Sequence, residues 1–447
     1  MNILFTLIIV IILIVLGTVK FKINPVFTLV LAAILAGFLL GFSPDKIIKL
    51  ITEGFGKTLA SIGLIIAFGT CIGVFLENNG GTQRIAEKVL EKIGTKRAPF
   101  AMNVIGFIIS IPVFCDSGFV ILSSLNKALS KKTGFSMLFF AVALSTGLYA
   151  THVFVPPTPG PLAAAALLGA DVGLVMLLGL LTAIFVSFAG YLWARFVGKT
   201  SVQTDLHPSN ESVTPKTKTP KNSKPTSFLF TIAPLLVPIL LIAFKSIANY
   251  PTFPFGKGFL LSFFSFVGHP IIALLIGVLI VFLASKSVLT ETKNNWVIKA
   301  LKDSGNIILV TGAGGAFGNI LRASNISELI NPNHSMFLGG LLIAFILAAL
   351  LKTAQGSSTV AIITSAAIMA PLLVGFGLIS PVDKALSVLA IGAGAMTVSH
   401  INDSYFWVVS QFSGLTVKQT LKGHSLGTLV QGFTGIIVVL LLHFLLS

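Results

Sequence analysis

The chain reads as an all-α polytopic membrane protein on three observations: its composition, the length of its apolar runs and the placement of its basic residues. Hydrophobic residues make up 55% of the 447 residues and charged residues 10%, against about 25% charged in an ordinary soluble domain. Mean hydropathy is +0.97. Apolar stretches on the scale of a bilayer crossing, which needs roughly 17–25 residues, fall near 2–19, 25–42, 58–76, 136–169, 172–196, 228–246, 259–284, 303–321, 386–412 and 426–446. The formal net charge of +16 sits in short segments between these runs. That is the positive-inside pattern, not the basic face of a nucleic-acid binder, and no nucleic-acid partner is expected.

The first run has no Lys or Arg before it, since the first is Lys20, and no small-residue cleavage site follows. It is expected to be a retained span and not a signal peptide. Two further apolar stretches, 100–130 and 336–376, carry polar clusters at their centres: FCDSG at 114–118 and AQGSS at 354–358. A continuous span should not place a polar cluster at its middle, so both are expected to be re-entrant hairpins. With that assignment the basic groups at Lys20 and Lys22, 84–97, 127–132, 199–227, 286–302 and 418–422 all share one side. That side is the cytoplasm, and both termini then face out of a bacterial inner membrane. Lys46, Lys49 and Lys57 fall on the wrong side for this scheme.

Residues 199–227 are rich in Pro, Ser, Thr, Asn and Lys and read as a disordered cytoplasmic linker. They separate an N-terminal transmembrane repeat, 1–198, from a C-terminal one, 228–447. Each half has about five helices and one hairpin. GTCIGVFLENNGG (69–81) resembles GGAFGNILRASNI (314–326), and GLYATHVF (147–154) resembles AMTVSHIN (395–402), at nearly the same offset. An odd number of spans per half inverts the second repeat, the build of many secondary transporters.

In such folds the binding site lies near the midplane, where broken helices and hairpin tips free backbone groups. Four polar islands qualify. Asp116 and Ser117 sit at the first hairpin tip; a carboxylate amid long apolar runs is expensive to bury and could carry a proton. Thr151, His152 and Thr158 flank a break made by Pro156, Pro157, Pro159 and Pro161, which cannot continue a helix. Gln355, Ser357, Ser358 and Thr359 form the second tip, with hydroxyls and an amide suited to a polyol or a carboxylate. His400, Asn402 and Asp403 form the second break. Half-helix N-termini near Ser117, Pro161, Ser357 and Ser404 would meet a substrate carboxylate.

Other features carry less. GAGGAFG (312–318) follows no strand and lacks the Lys-Ser/Thr of a phosphate-binding loop, so close helix packing is its reading. Asn78 to Gly81 read as a helix end and turn. Cys71 and Cys115 define neither a disulfide framework nor a metal site. His207, His269, His334, His424 and His443 are given no role. No H-E-x-x-H motif or recognisable Ser-His spacing supports an enzyme, and no cofactor or metal is expected.

The segments IPVFCDSGFV (111–120), THVFVPPTPGPLAAA (151–165), GAGGAFGNILRASNI (312–326), AQGSSTVA (354–361) and SHINDSYFW (399–407) resemble the signature regions of the gluconate permease family, the gluconate:proton symporters. The resemblance covers essentially the whole chain outside the linker. It implies proton-driven uptake of gluconate or a related small sugar acid or hydroxy acid. Sodium is the alternative coupling ion, and glycerate and D-serine are alternative substrates. It also implies a homodimer of the ion-transporter superfamily plan. Hairpins and broken helices would form a moving domain, and 2–42, 172–196, 228–284 and 426–446 a scaffold. Relatives commonly carry a His in the stretch after the double proline, where this chain has Thr158, which leaves the substrate within the family open.

Overall fold

The computed structural model describes residues 3–200, 228–248, 258–285, 288–324 and 336–446. These are helical, with no strand among them. Both cysteines are free and buried.

The first half begins with α1 (Ile3–Val15), α2 (Pro25–Leu39) and the long α3 (Pro44–Asn78). Asn24 and Ser43 each accept a first-turn amide while Pro25 and Pro44 occupy the first helical turn, where a missing N–H costs nothing. α3 begins well before the apolar run 58–76, so Lys46, Lys49 and Lys57 all lie on it. Its end is the expected turn: Gly80 adopts φ +77° and Asn79 accepts from the Gly81 amide at 2.9 Å. An amphipathic α4 (Gly81–Ile93) leads to a helical hairpin, α5 (Ala98–Ile109) and α6 (Cys115–Thr133). Next come α7 (Met137–Phe154) and α8 (Pro159–Leu168), separated at the prolines as expected, then α9 (Val172–Thr200). α9 thus runs through the first two residues of the expected linker; 201–227 lie outside the described residues.

The second half holds α10 (Phe228–Ala248), α11 (Phe259–Val267), α12 (Pro270–Ala284) and α13 (Thr290–Arg322). A second hairpin follows, α14 (Met336–Gln355) and α15 (Ser358–Met369), then α16 (Pro381–Met396), α17 (Ser404–Ser413) and α18 (Val417–Leu446). α18 contains a π-turn at Leu421–Ser425.

The stretch 259–284, read as one span, is instead two helices bent by 65° at Gly268 and His269. Pro270 opens α12, and a proline disfavours helical backbone in the residue before it. Among the described residues, five helices can cross a membrane by length and composition, or six if the bent pair counts as one, fewer than the ten runs the sequence suggests. The difference arises because α1, α2 and α10 contain only 10–17 described apolar residues, and α13 carries charge along its first turns.

α3 and α13 form the most extensive helix pair. Glycines let them touch: a Cβ on Gly315 would lie 2.1 Å from Thr58 Oγ1, and one on Gly54 would lie 2.6 Å from the Gly315 carbonyl. The Gly-rich 312–318 segment is therefore a helix-packing face. Around this pair the two halves cross over. α5 packs on α7 and α14 on α16, while α6 packs on α17 and α15 on α8. Each hairpin's second helix thus leans on the second arm of the other half's broken helix.

Candidate functional site

The two hairpin tips and the two helix breaks are built by different local devices. At the first tip Pro112 and Val113 turn the chain, Ser110 Oγ donates to the Val113 carbonyl at 3.0 Å, and α6 starts at Cys115. Asp116 and Ser117 fall in its first turn, half-buried. One Asp116 oxygen, Oδ1, is buried with no hydrogen-bond partner. The second tip turns at Gly356, whose φ is +78° and whose added Cβ would lie 2.1 Å from the Asn402 carbonyl. Only glycine serves both requirements. Ser357 then caps α15 by accepting the Val360 amide at 3.4 Å.

In the first break, Val155–Thr158, Pro156 and Pro157 have no N–H to continue the helical ladder, and Val155 makes its last bond, to the Thr151 carbonyl at 2.9 Å. Thr158 Oγ1 donates to the Val155 carbonyl at 2.5 Å, so its hydroxyl closes the break locally. Thr151 Oγ1 donates to the Phe107 carbonyl at 2.9 Å, tying α7 to α5. His152 is buried beside the Phe114 ring, with Nδ1 unpartnered. At the second break Val398 takes φ +48°, unusual for a β-branched residue, and Asp403 caps α17 through the Tyr405 amide at 3.0 Å. His400 Nε2 lies 3.1 Å from the Thr353 carbonyl, and Asn402 Nδ2 donates to the same oxygen at 2.7 Å. Both residues are therefore engaged with the open carbonyls at the end of α14.

The centre of the site is a buried ion pair absent from the sequence expectations. Lys352 Nζ lies 2.5 Å from Asp403 Oδ2 and donates to the Gly356 carbonyl at 2.8 Å, with the lysine side chain wholly buried. It joins the second tip to the second break. A lone Lys in an apolar helix three residues before a polar island is the signal that marks it. Asp403 Oδ2 also accepts from Ser399 Oγ at 2.5 Å. His424 bridges two hydroxyls, with Nε2 3.1 Å from Ser399 Oγ and Nδ1 3.2 Å from Ser145 Oγ. His424, given no role from sequence, is fully buried in the π-turn of α18. His443 sits 3.8 Å from Asp383, away from this cluster; His207 and His334 lie outside the described residues.

Two tyrosines complete the cluster. Tyr149 is hydrogen-bonded to Ser358, binding α7 to the second tip. Tyr405 donates to the Ser145 carbonyl at 3.0 Å. Their rings lie 5.3 Å apart. Ser117 and Thr359 lie half-buried in the first turns of α6 and α15. Gln355 contributes an amide whose oxygen and nitrogen are both buried without a partner. Asp116 lies within electrostatic reach of Asp403 and Lys352, so both halves contribute to one charged centre.

Interrupted helices arranged around a buried, partly unsatisfied polar centre define a membrane transporter of the broken-helix kind. Comparison with known proteins gives the family. The GntP family permease model matches residues 1–445, and the chain belongs to that family. It is 34% identical over 437 residues to the gluconate permease of Pseudomonas aeruginosa, covering 96% of this chain and 94% of that one. It is 34% identical over 458 residues to the D-serine transporter of Escherichia coli O6:H1, covering 99% and 98%. The solved structure of MtrF from Neisseria gonorrhoeae, one of a class of antimetabolite efflux pumps, superposes with a TM-score of 0.65 at 14% identity, covering 90% of this chain and 85% of that one. At that identity the likeness speaks for the fold. The relatives are named permeases and transporters, which points to a transport role.

Proposed function

We propose that this permease is a proton-coupled symporter that takes up gluconate or a related small sugar acid or hydroxy acid across the bacterial inner membrane. The observation that carries it is the contrast between two carboxylates. Asp403 has both oxygens engaged, by Lys352 and Ser399 on one and the Tyr405 amide on the other. Asp116 has a buried oxygen with nothing bound to it. Asp116 is therefore the exchangeable acid and Asp403 the fixed counter-ion.

Coupling follows from charge. Lys352 and Asp403 cancel. With Asp116 neutral, an incoming carboxylate meets the third Lys352 N–H and the first-turn amides of α6 and α15. With Asp116 ionised, the substrate would bring a third negative charge against one cation in a low-dielectric site, an arrangement that is strongly disfavoured. Gln355, Ser358 and His152 supply donors and acceptors for hydroxyls. The crossed packing of each hairpin on the opposite broken helix supports the part of the proposal that has two inverted repeats with re-entrant hairpins. A moving unit against a scaffold, and a homodimer built through that scaffold, complete the proposal.

A second reading is favoured by the same unpartnered oxygen. In an amino-acid substrate such as D-serine, the ammonium would pair with Asp116, and the relative at 34% identity bears that substrate's name. Uptake of labelled D-gluconate into sodium-free proteoliposomes, driven by an imposed inward proton gradient, tests the proposal. Accumulation abolished by a protonophore supports it. Accumulation of D-serine alone, or only with sodium, replaces it.

A further inference from the structure

A cavity lies apart from the candidate site and shares no residue with it. It has a volume of about 590 Å³ and lies where α5 begins, α6 passes to α7 and α9 ends. Lys96, Arg97 and Arg195 line it with Phe100, Phe139 and Tyr191, and no Asp or Glu does. None of the three cations makes an ion pair among the described residues. The Tyr191 ring stands edge-on to Phe100 at 5.1 Å and is stacked on Phe139 at 6.0 Å, so the wall is rigid and amphipathic. No side chain caps the start of α5, and the positive end of its dipole adds to the field.

Tyr191, Arg195 and Gly198 of α9 line the cavity, and α9 is long and apolar enough to cross a membrane over Val172–Gly198. Phe185, Phe188, Leu192 and Phe196 are exposed at helical spacing, forming one apolar stripe that reaches the turn of α9 carrying Arg195. A phosphate-sized anion attached to hydrocarbon chains satisfies both features at once: the head among the cations, the chains along the stripe. Lys131 and Lys132 end α6 on the same side, the basic side that the charge bias assigns to the cytoplasm.

We infer that this cavity is a binding site for the headgroup of an anionic phospholipid of the inner leaflet, with Arg97 and Arg195 as its phosphate contacts. The shared chemistry is a phosphate monoester or diester, and its source is the membrane.

Native mass spectrometry of the full-length protein in mild detergent tests this, with titrated phosphatidylglycerol and phosphatidylcholine as probes. The wild type should retain phosphatidylglycerol in preference. Arg97→Gln with Arg195→Gln should weaken retention about thirtyfold, each basic contact contributing a factor of about five. Arg195→Lys, which keeps the charge, should retain most of it, as should Lys131→Gln with Lys132→Gln outside the cavity. Equal retention of both lipids, or equal loss in the outside pair, overturns the site. Displacement of phosphatidylglycerol by equimolar glycerol 3-phosphate overturns the lipid source and assigns the cavity to a soluble phosphate.

Discussion

Replacing Lys352 by Met removes the cation at the centre of the site and leaves Asp403 buried. The pair is close, 2.5 Å, with the lysine wholly inaccessible. Loss of one partner from such a pair costs about 3–5 kcal/mol, because the remaining charge has neither water nor a counter-ion. Asp403 keeps the Ser399 hydroxyl and the Tyr405 amide, which places the expected loss at the lower end of that range. The Gly356 carbonyl also loses its donor, adding about 1 kcal/mol. The double variant Lys352→Met, Asp403→Asn removes both charges, and the side-chain oxygen of the introduced asparagine can still accept the Tyr405 amide. It should be more stable than the Lys352→Met single variant. Thermal unfolding of the purified protein in one detergent, followed by intrinsic fluorescence across the four-member cycle, gives the coupling. Additive losses, or a Lys352→Met variant as stable as the wild type, would refute the claim that the pair is mutually neutralising.

Asp116→Asn should abolish gradient-driven accumulation while sparing substrate exchange across proteoliposomes without a gradient; protonophore-sensitive accumulation in this variant would remove Asp116 from the coupling role. Gly356→Ala forces a side chain into φ +78° and against the Asn402 carbonyl. It should destabilise the protein by at least about 1–3 kcal/mol, read as a lowered melting temperature, together with loss of uptake. His424→Phe should cost about 1–3 kcal/mol by stripping the Ser145 and Ser399 hydroxyls of their bridge, whereas His269→Phe, outside the cluster, should leave stability nearly unchanged.

Local chemistry explains what can be read in advance. The break at 155–158 is legible because Pro156 and Pro157 fix it, with Pro159 and Pro161 opening the next helix, regardless of surroundings. The hairpin tips are legible because a polar cluster inside an apolar run has few other resolutions. The Gly-rich face of α13 is legible as packing, since only small residues let helices approach so closely. The bend at Gly268 escapes a sequence reading because hydropathy averages over it. Thr151, Thr158, His400 and Asn402 are polar groups in interrupted helices, as their neighbours along the chain imply. That their hydrogen bonds go to nearby carbonyls is visible only in the folded chain.

A helical membrane permease, its interruptions and the short segments of its candidate site are legible in the amino-acid order, because apolar run length, proline and glycine act over a few residues. Which acid is free follows from the packing of the helices and from nothing shorter in range. Asp116 and Asp403 look alike along the chain, each a carboxylate in an apolar setting. Lys352, 51 positions from Asp403, forms its hydrogen-bonded ion pair with the second. His424 meets Ser145 across 279 positions and Tyr149 meets Ser358 across 209. Such partners are chosen by how helices cross, and a hydrogen bond near 3 Å depends on that crossing in a way no periodicity records.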